Sequence, residues 1–188
     1  MNTGQMMLTA MAMVLLGITT ISMNRNSLNS GTIVRQTEIG IYGVSLATSY
    51  IERAATLQFD RYDTTTGVTI TSLAQLTPTN SLGYETGAGE FANQPATWDD
   101  FDDYNGMSIL DTMGGVGVFC TKASVYYVND LNANPTSLPS TPTWYKRMDV
   151  QTFGNLGRGV FTDTGSTATQ MGVDTIKLSY IFSYFVMP

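Results

Sequence analysis

The chain has 188 residues, enough for one domain plus an extra element. Its 9 basic and 15 acidic residues give a net charge of −6 with no basic cluster, which argues against a nucleic-acid-binding surface. Histidine is absent and Cys120 is the single cysteine, which removes the commonest general base, the usual pH switch, an internal disulfide and a thiolate metal cluster.

Residues 1–24 carry no charged side chain, and the first charge is Arg25. Leu8, Met11, Val14, Leu15, Ile18 and Ile21 do not keep to one helical face. Met6, Met7, Ala10, Ala12, Met13, Leu16 and Met23 fill the others. A helix that is apolar all round is buried or membrane-embedded, and about 20 such residues span a bilayer. A cleaved secretory signal wants a basic n-region and a small-x-small cleavage site, and the sequence has neither. A core helix of a soluble domain fits poorly at this length without charges. A plain membrane anchor fits, and so does a helix shared between a membrane and the centre of a filament. Inside the run, Gly17 to Ser22 (GITTIS) holds poor helix formers. This stretch either loses helical structure or stays helical with Thr19 and Thr20 bonding back to the preceding turn.

From Ser27 to Phe59 the pattern stays helical but becomes amphipathic. Val34, Ile41, Val44, Thr48, Ile51 and Ala55 form one stripe; Ile39, Tyr42, Leu46, Tyr50 and Leu57 form a neighbouring one. Two stripes imply two partners, the protein's own sheet and neighbouring helices. Arg35 and Glu38 are spaced to pair locally. Gly31, Gly40 and Gly43 weaken the helix but permit close backbone approach. A continuous helix from residue 3 to about 58 would be roughly 80 Å long.

Beyond Asp60 the composition shifts to Thr, Gly, Asp, Asn and Pro. Residues 61–110 hold short β-like pieces such as Val68 to Leu73, among many turn signals. Strands are expected over Val116 to Val128, Thr143 to Phe153 and Asp174 to Val186. In the last, Ile176, Leu178, Tyr180, Phe182 and Tyr184 alternate with the more polar set. Long connections with Pro135, Pro139 and Pro142, or with Gly154, Gly157 and Gly165, read as surface loops. The strand aromatics read as packing, and Cys120 as a small buried hydrophobe. The expected fold is α+β. A long N-terminal helix, residues 1–58 (1–25 apolar, 26–58 amphipathic), packs in a lollipop-like layout on a C-terminal antiparallel β-sheet domain, residues 59–188.

Glu85 to Asp111 contains seven acidic residues and no basic one. Its densest part, Asp99, Asp100, Asp102, Asp103 and Asn105, is a candidate Ca²⁺ site, because hard cations want clustered oxygens. The EF-hand register fails, since Phe101 stands where an Asp is needed, and a solvated acidic loop is the default reading. No other metal, cofactor or catalytic constellation is expected. The best Gly run, MGGVGVF, lacks the Lys and helix of a phosphate loop.

A short Gly-containing start, an uncharged apolar helix, an amphipathic extension and a β-rich half together resemble type IV pilins and pseudopilins. LATSYIERAATLQFD (Leu46 to Asp60) is similar to the end of their long helix. FDDYNG (Phe101 to Gly106), TWYKRMDV (Thr143 to Val150) and DTIKLSYIFSYF (Asp174 to Phe185) are similar to strands and turns of their β-domains. The start departs from the family pattern: Met1 to Gly4 contains no basic residue, and the fifth position is Gln5 rather than Glu. Either Met1 is the mature first residue, or Gly4 precedes a processing site and the chain begins at Gln5. The resemblance implies a non-enzymatic subunit of an extracellular, cell-surface pilus-like filament. It would be held in the inner membrane before assembly, handled by pilus assembly machinery, and polymerised as a helical homopolymer through Met1, Gln5, Leu8, Met11, Val14, Leu15, Ile18 and Ile21. A minor pseudopilin of a secretion system and a single-pass anchored binding ectodomain are the alternatives.

Overall fold

The computed structural model describes residues 3–67, 69–114, 117–129, 139–154 and 175–184. The chain divides into two units, Met1–Ile39 and Gly40–Pro188. Helix α1 (Thr3–Ala55) supplies the described residues of the first and the opening of the second. It ends slightly before the expected residue 58. Thr56 and Leu57 N–H donate to the carbonyls of Arg53 and Ala54, a tightening that closes the last turn. Asp60 then caps a short helix α2 (Arg61–Thr66), its carboxylate accepting from Tyr62 N–H, and Gly67 at φ 59° stops it.

Among the described residues, the second unit contains four antiparallel strands in meander order: β1 (Ser108–Met113), β2 (Gly117–Tyr127), β3 (Tyr145–Gly154) and β4 (Thr175–Ser183). The α+β architecture is as expected, with the part of α1 in this unit, residues 40–55, packed on the sheet. Three strands match the expected ones closely. The ends of the third expected strand, Asp174 and residues 185–186, lie outside the described residues, as do Pro135, Gly157 and Gly165. β1 was not foreseen. Its residues SILDTM are only half apolar, and its pairing with β2, Ser108 opposite Lys122, makes it a strand. Conversely, residues 69–73 form no strand; Val68 is not described. Ser72 and Gln75 there build a capping box around a 3₁₀ turn (Leu73–Gln75).

Register explains the core. Ala123, Val150 and Leu178 lie abreast on β2, β3 and β4, as do Val125, Met148 and Tyr180, then Tyr127, Lys146 and Phe182. These rows meet Ala47 and Ala54 of α1 and Trp98, Phe101 and Tyr104 of the preceding loop in one cluster. Phe59, Ile70, Leu76 and Tyr127 form a second, which Phe182 also touches. Of the two helix stripes, Tyr50 and Leu57 of the second pack against the main cluster, and Ile51 of the first joins them. Ile41 and Val44 of the first stripe stay exposed. Gly43 makes the close approach expected of a helix glycine, since a Cβ there would lie 2.6 Å from Ile176 Cδ1; Gly31 and Gly40 have open space around them. Arg35 and Glu38 form no ion pair. Cys120 is half-buried rather than buried. The aromatics pack on one another, Phe101 on Phe182 at 5.0 Å and Trp144 stacked on Tyr184 at 5.8 Å.

Candidate functional site

Within the first unit, α1 presents apolar side chains to every side. Eleven residues from Met6 to Met23 (among them Leu8, Met11, Val14, Leu15, Ile18 and Ile21) are 58–76% exposed. Gln5 is exposed in the first turns, and Gly4 has nothing within 4 Å of a built Cβ. Met1 lies outside the described residues. Transferring a large apolar side chain out of water is worth ~1.5–3 kcal/mol, so these eleven together represent roughly 15–30 kcal/mol of unrealised burial. That exceeds the whole stability of a typical domain, about 5–15 kcal/mol, so water cannot be the working solvent of this segment. The helix is long and apolar enough to cross a membrane.

Its hydroxyls suit such a solvent. Thr9 donates to Gln5 O at 3.1 Å, Thr19 to Leu15 O at 3.1 Å and Thr20 to Leu16 O at 2.7 Å. GITTIS therefore remains helical, with its hydroxyls satisfied one turn back. Exposed apolar residues do not stop at bilayer length. Leu28, Ile33 and Val34 are also exposed, extending the row within this unit to about 42 Å at 1.5 Å per residue, against a hydrocarbon core of about 30 Å.

The second candidate region is acidic, and it is not the solvated loop expected from composition. Asp60, Asp100, Asp102 and Asp103 are fully buried and Glu90 nearly so. Lys146 explains part of this. Strand alternation places it in the inward row with Met148 and Val150, opposite Tyr127. Its ammonium donates to Phe59 O at 2.6 Å, Asp60 Oδ2 at 2.8 Å and Asp102 Oδ1 at 2.5 Å, and lies over the Phe59 ring. All three N–H groups are thus used. Burial lowers the Lys146 pKa, but Asp102, then Asp60 and Asp100, outweigh it and hold the pKa above the ordinary value. Burial likewise raises Asp60, yet Lys146, Thr77 and Tyr62 pull its carboxyl below the usual range.

The sequence reasoning overlooked Lys146. The signal was available, because in YKRMDV the lysine falls in phase with Met148 and Val150. Of the five residues proposed for Ca²⁺, two have other work. Asp102 pairs with Lys146, and Asn105 ties the loop together, donating to Leu82 O and accepting from Val125 N–H, each at 3.0 Å.

Asp99, Asp100 and Asp103 instead meet Glu85 and Glu90. One carboxylate oxygen each from Glu85, Asp100 and Asp103 lie within 4.8 Å of one another, and so do those of Glu90, Asp99 and Asp103. Asp103 Oδ2 accepts from the N–H groups of Asp99 and Asp100 at 2.9 and 3.0 Å, and Asp100 Oδ1 from Asp102 N–H at 2.8 Å. Glu90 Oε2 accepts from Glu85 N–H at 2.5 Å, and Arg61 lies 3.4 Å from Glu85 Oε1. Burial, then the charges of Asp102 and Asp103, push Asp100 up to about 10; burial is also the main cause lifting Glu85 and Asp103 to about 7. Compared with known proteins, the chain gives no significant match to a family model, a curated protein or a solved structure.

Proposed function

We propose that the protein is the structural subunit of an extracellular filament of the type IV pilus kind, polymerising through the apolar part of α1. The observation that carries this reading is the length of the exposed apolar row within the first unit, from Met6 to Val34. A bilayer accounts for about 30 Å of it. The remainder calls for protein partners of the same character, and neighbouring copies of α1 provide them. Burial of this row against other copies is the driving force, as apolar surface leaves water or trades lipid for close packing. Gln5 fits such a core at lower cost than a carboxylate, since an unpaired buried charge costs several kcal/mol. The sheet unit then forms the filament's water-facing surface.

Electron microscopy of material sheared from expressing cells, with N-terminal sequencing of the fibre subunit, tests the reading. Fibres built mainly of this chain are expected. Leu15→Lys adds about 3–4 kcal/mol of insertion cost and is expected to abolish fibres while the sheet unit stays folded. Fibres in which this chain is only a trace component would favour a minor pseudopilin. A monodisperse, detergent-dependent monomer without fibres would favour an anchored ectodomain and overturn the proposal.

A further inference from the structure

The buried acidic cluster contains more carboxylate than its cations neutralise. Lys146 is committed to Asp60 and Asp102. On the other side, one oxygen of each carboxylate is held and the second is left over. Asp103, Asp100 and Glu90 each use one oxygen on a backbone N–H. Their other oxygens, Asp103 Oδ1, Asp100 Oδ2 and Glu90 Oε1, are buried without a hydrogen-bond partner among the described residues, and Glu85 Oε2 is in the same position. Asp100 and Asp103 are 0% exposed and Glu90 2%. Leaving a buried polar oxygen unpartnered is unfavourable, more so when it is charged, and these four belong to two sets of carboxylates that meet at Asp103.

We infer that Glu85, Glu90, Asp100 and Asp103, with Asp99 at the rim, bind one hard divalent cation of calcium's size. The spacing fits. Two oxygens on opposite sides of Ca²⁺, at about 2.3–2.6 Å each, stand about 5 Å apart, and the oxygens fall within 4.8 Å of one another in each of two sets, Glu85–Asp100–Asp103 and Glu90–Asp99–Asp103, which share Asp103. Mg²⁺ demands a tighter octahedron at about 2.0–2.1 Å and keeps its waters. A softer metal would want imidazole or thiolate; the chain has no histidine, and its one cysteine is on β2. The backbone bonds act as outer-shell supports, fixing each carboxylate so that its second oxygen faces the ion. The cation would tie the loop of Glu85 and Glu90 to the 3₁₀ turn Asp102–Tyr104 and the residues just before it, beside the main core. This inference stands independently of the filament reading.

The test uses the full chain in detergent micelles, stripped with EGTA and titrated with CaCl₂ in a calorimeter, with thermal unfolding followed in parallel. One Ca²⁺ per chain is expected, with a melting temperature about 5–10 °C higher at a hundredfold excess over Kd. In Asp103→Asn the amide oxygen retains the two backbone bonds while the NH₂ replaces the unpartnered oxygen. This variant should melt at least as high as wild type in EGTA and lose at least tenfold in Ca²⁺ affinity, and Glu90→Gln should behave alike. Absence of heat and of any melting shift with Ca²⁺ up to about 10 mM, beyond the weak range of extracellular calcium modules, would overturn the site. So would Asn and Gln variants that lower stability equally in Ca²⁺ and in EGTA, since that marks a purely structural role. An equal response to Mg²⁺ would overturn the size assignment.

Discussion

Replacing Lys146 with methionine keeps an unbranched side chain of similar volume in the same inward row and removes the charge and all three donors. The wild-type ammonium serves the Phe59 carbonyl and the carboxylates of Asp60 and Asp102, with both sides of each ion pair essentially inaccessible to water. Breaking a buried pair by removing one partner costs about 3–5 kcal/mol, because the other charge is left uncompensated. For a unit of this size that corresponds to a fall in melting temperature of roughly 10 °C. Both tryptophans, Trp98 and Trp144, belong to this unit, so fluorescence during urea unfolding in micelles reports the loss directly.

The pH dependence separates lost charge from lost packing. In wild type the Asp60 pKa is below its unfolded value. Its contribution is therefore present above about pH 4 and is lost as pH falls through the folded value. In Lys146→Met the sign reverses, because burial without a counter-charge raises the folded pKa of Asp60. The deficit should be full near neutral pH and shrink as pH falls toward the unfolded value. A variant within about 1 kcal/mol of wild type at neutral pH, or a deficit flat between pH 5 and 8, would refute the reasoning.

Gly43→Val should destabilise the sheet unit by about 1–3 kcal/mol through overpacking, since even its Cβ would meet Ile176 Cδ1 at 2.6 Å; Ile176→Ala in the same chain should recover part of this, and strict additivity in the double-mutant cycle would refute the contact. Burial raises Asp149, but hydrogen bonds from Tyr126, Ser179 and Arg147 outweigh it and hold the carboxyl below the ordinary range. Its contribution is therefore present above about pH 4 and lost as pH falls through the folded value; NMR titration should find its pKa below about 3.9, and Asp149→Asn should flatten the acid limb of the stability curve.

The long helix and three of the four described strands were legible in the sequence because each is a local pattern; the helix face on the sheet was not, since Gly43, Ala47 and Ala54 lie outside both expected stripes. An uncharged run has no periodicity to misread. β4 alternates over Ile176, Leu178, Tyr180 and Phe182, and β2 and β3 carry dense Val, Phe and Tyr. β1 was invisible because SILDTM has no strong pattern of its own and becomes a strand only by pairing with β2. VTITSL shows the converse. Among the described residues, Thr69, Ile70 and Thr71 pair with no strand, and the capping box of Ser72 and Gln75 takes over.

The acidic segment separates the two kinds of knowledge most sharply. Composition determined that carboxylates crowd between Glu85 and Asp111, and that no histidine or second cysteine can join them. Whether such a run is solvated depends on what the chain brings to it from far away, and no local pattern encodes that. Here Lys146 arrives from β3, 44 residues beyond Asp102 and 86 beyond Asp60. Electrostatic cost in a protein interior is set by distance and burial in three dimensions. The residue types were therefore fixed by the sequence, while their division into a set paired with Lys146 and a set grouped around Asp103 was decided by the tertiary structure.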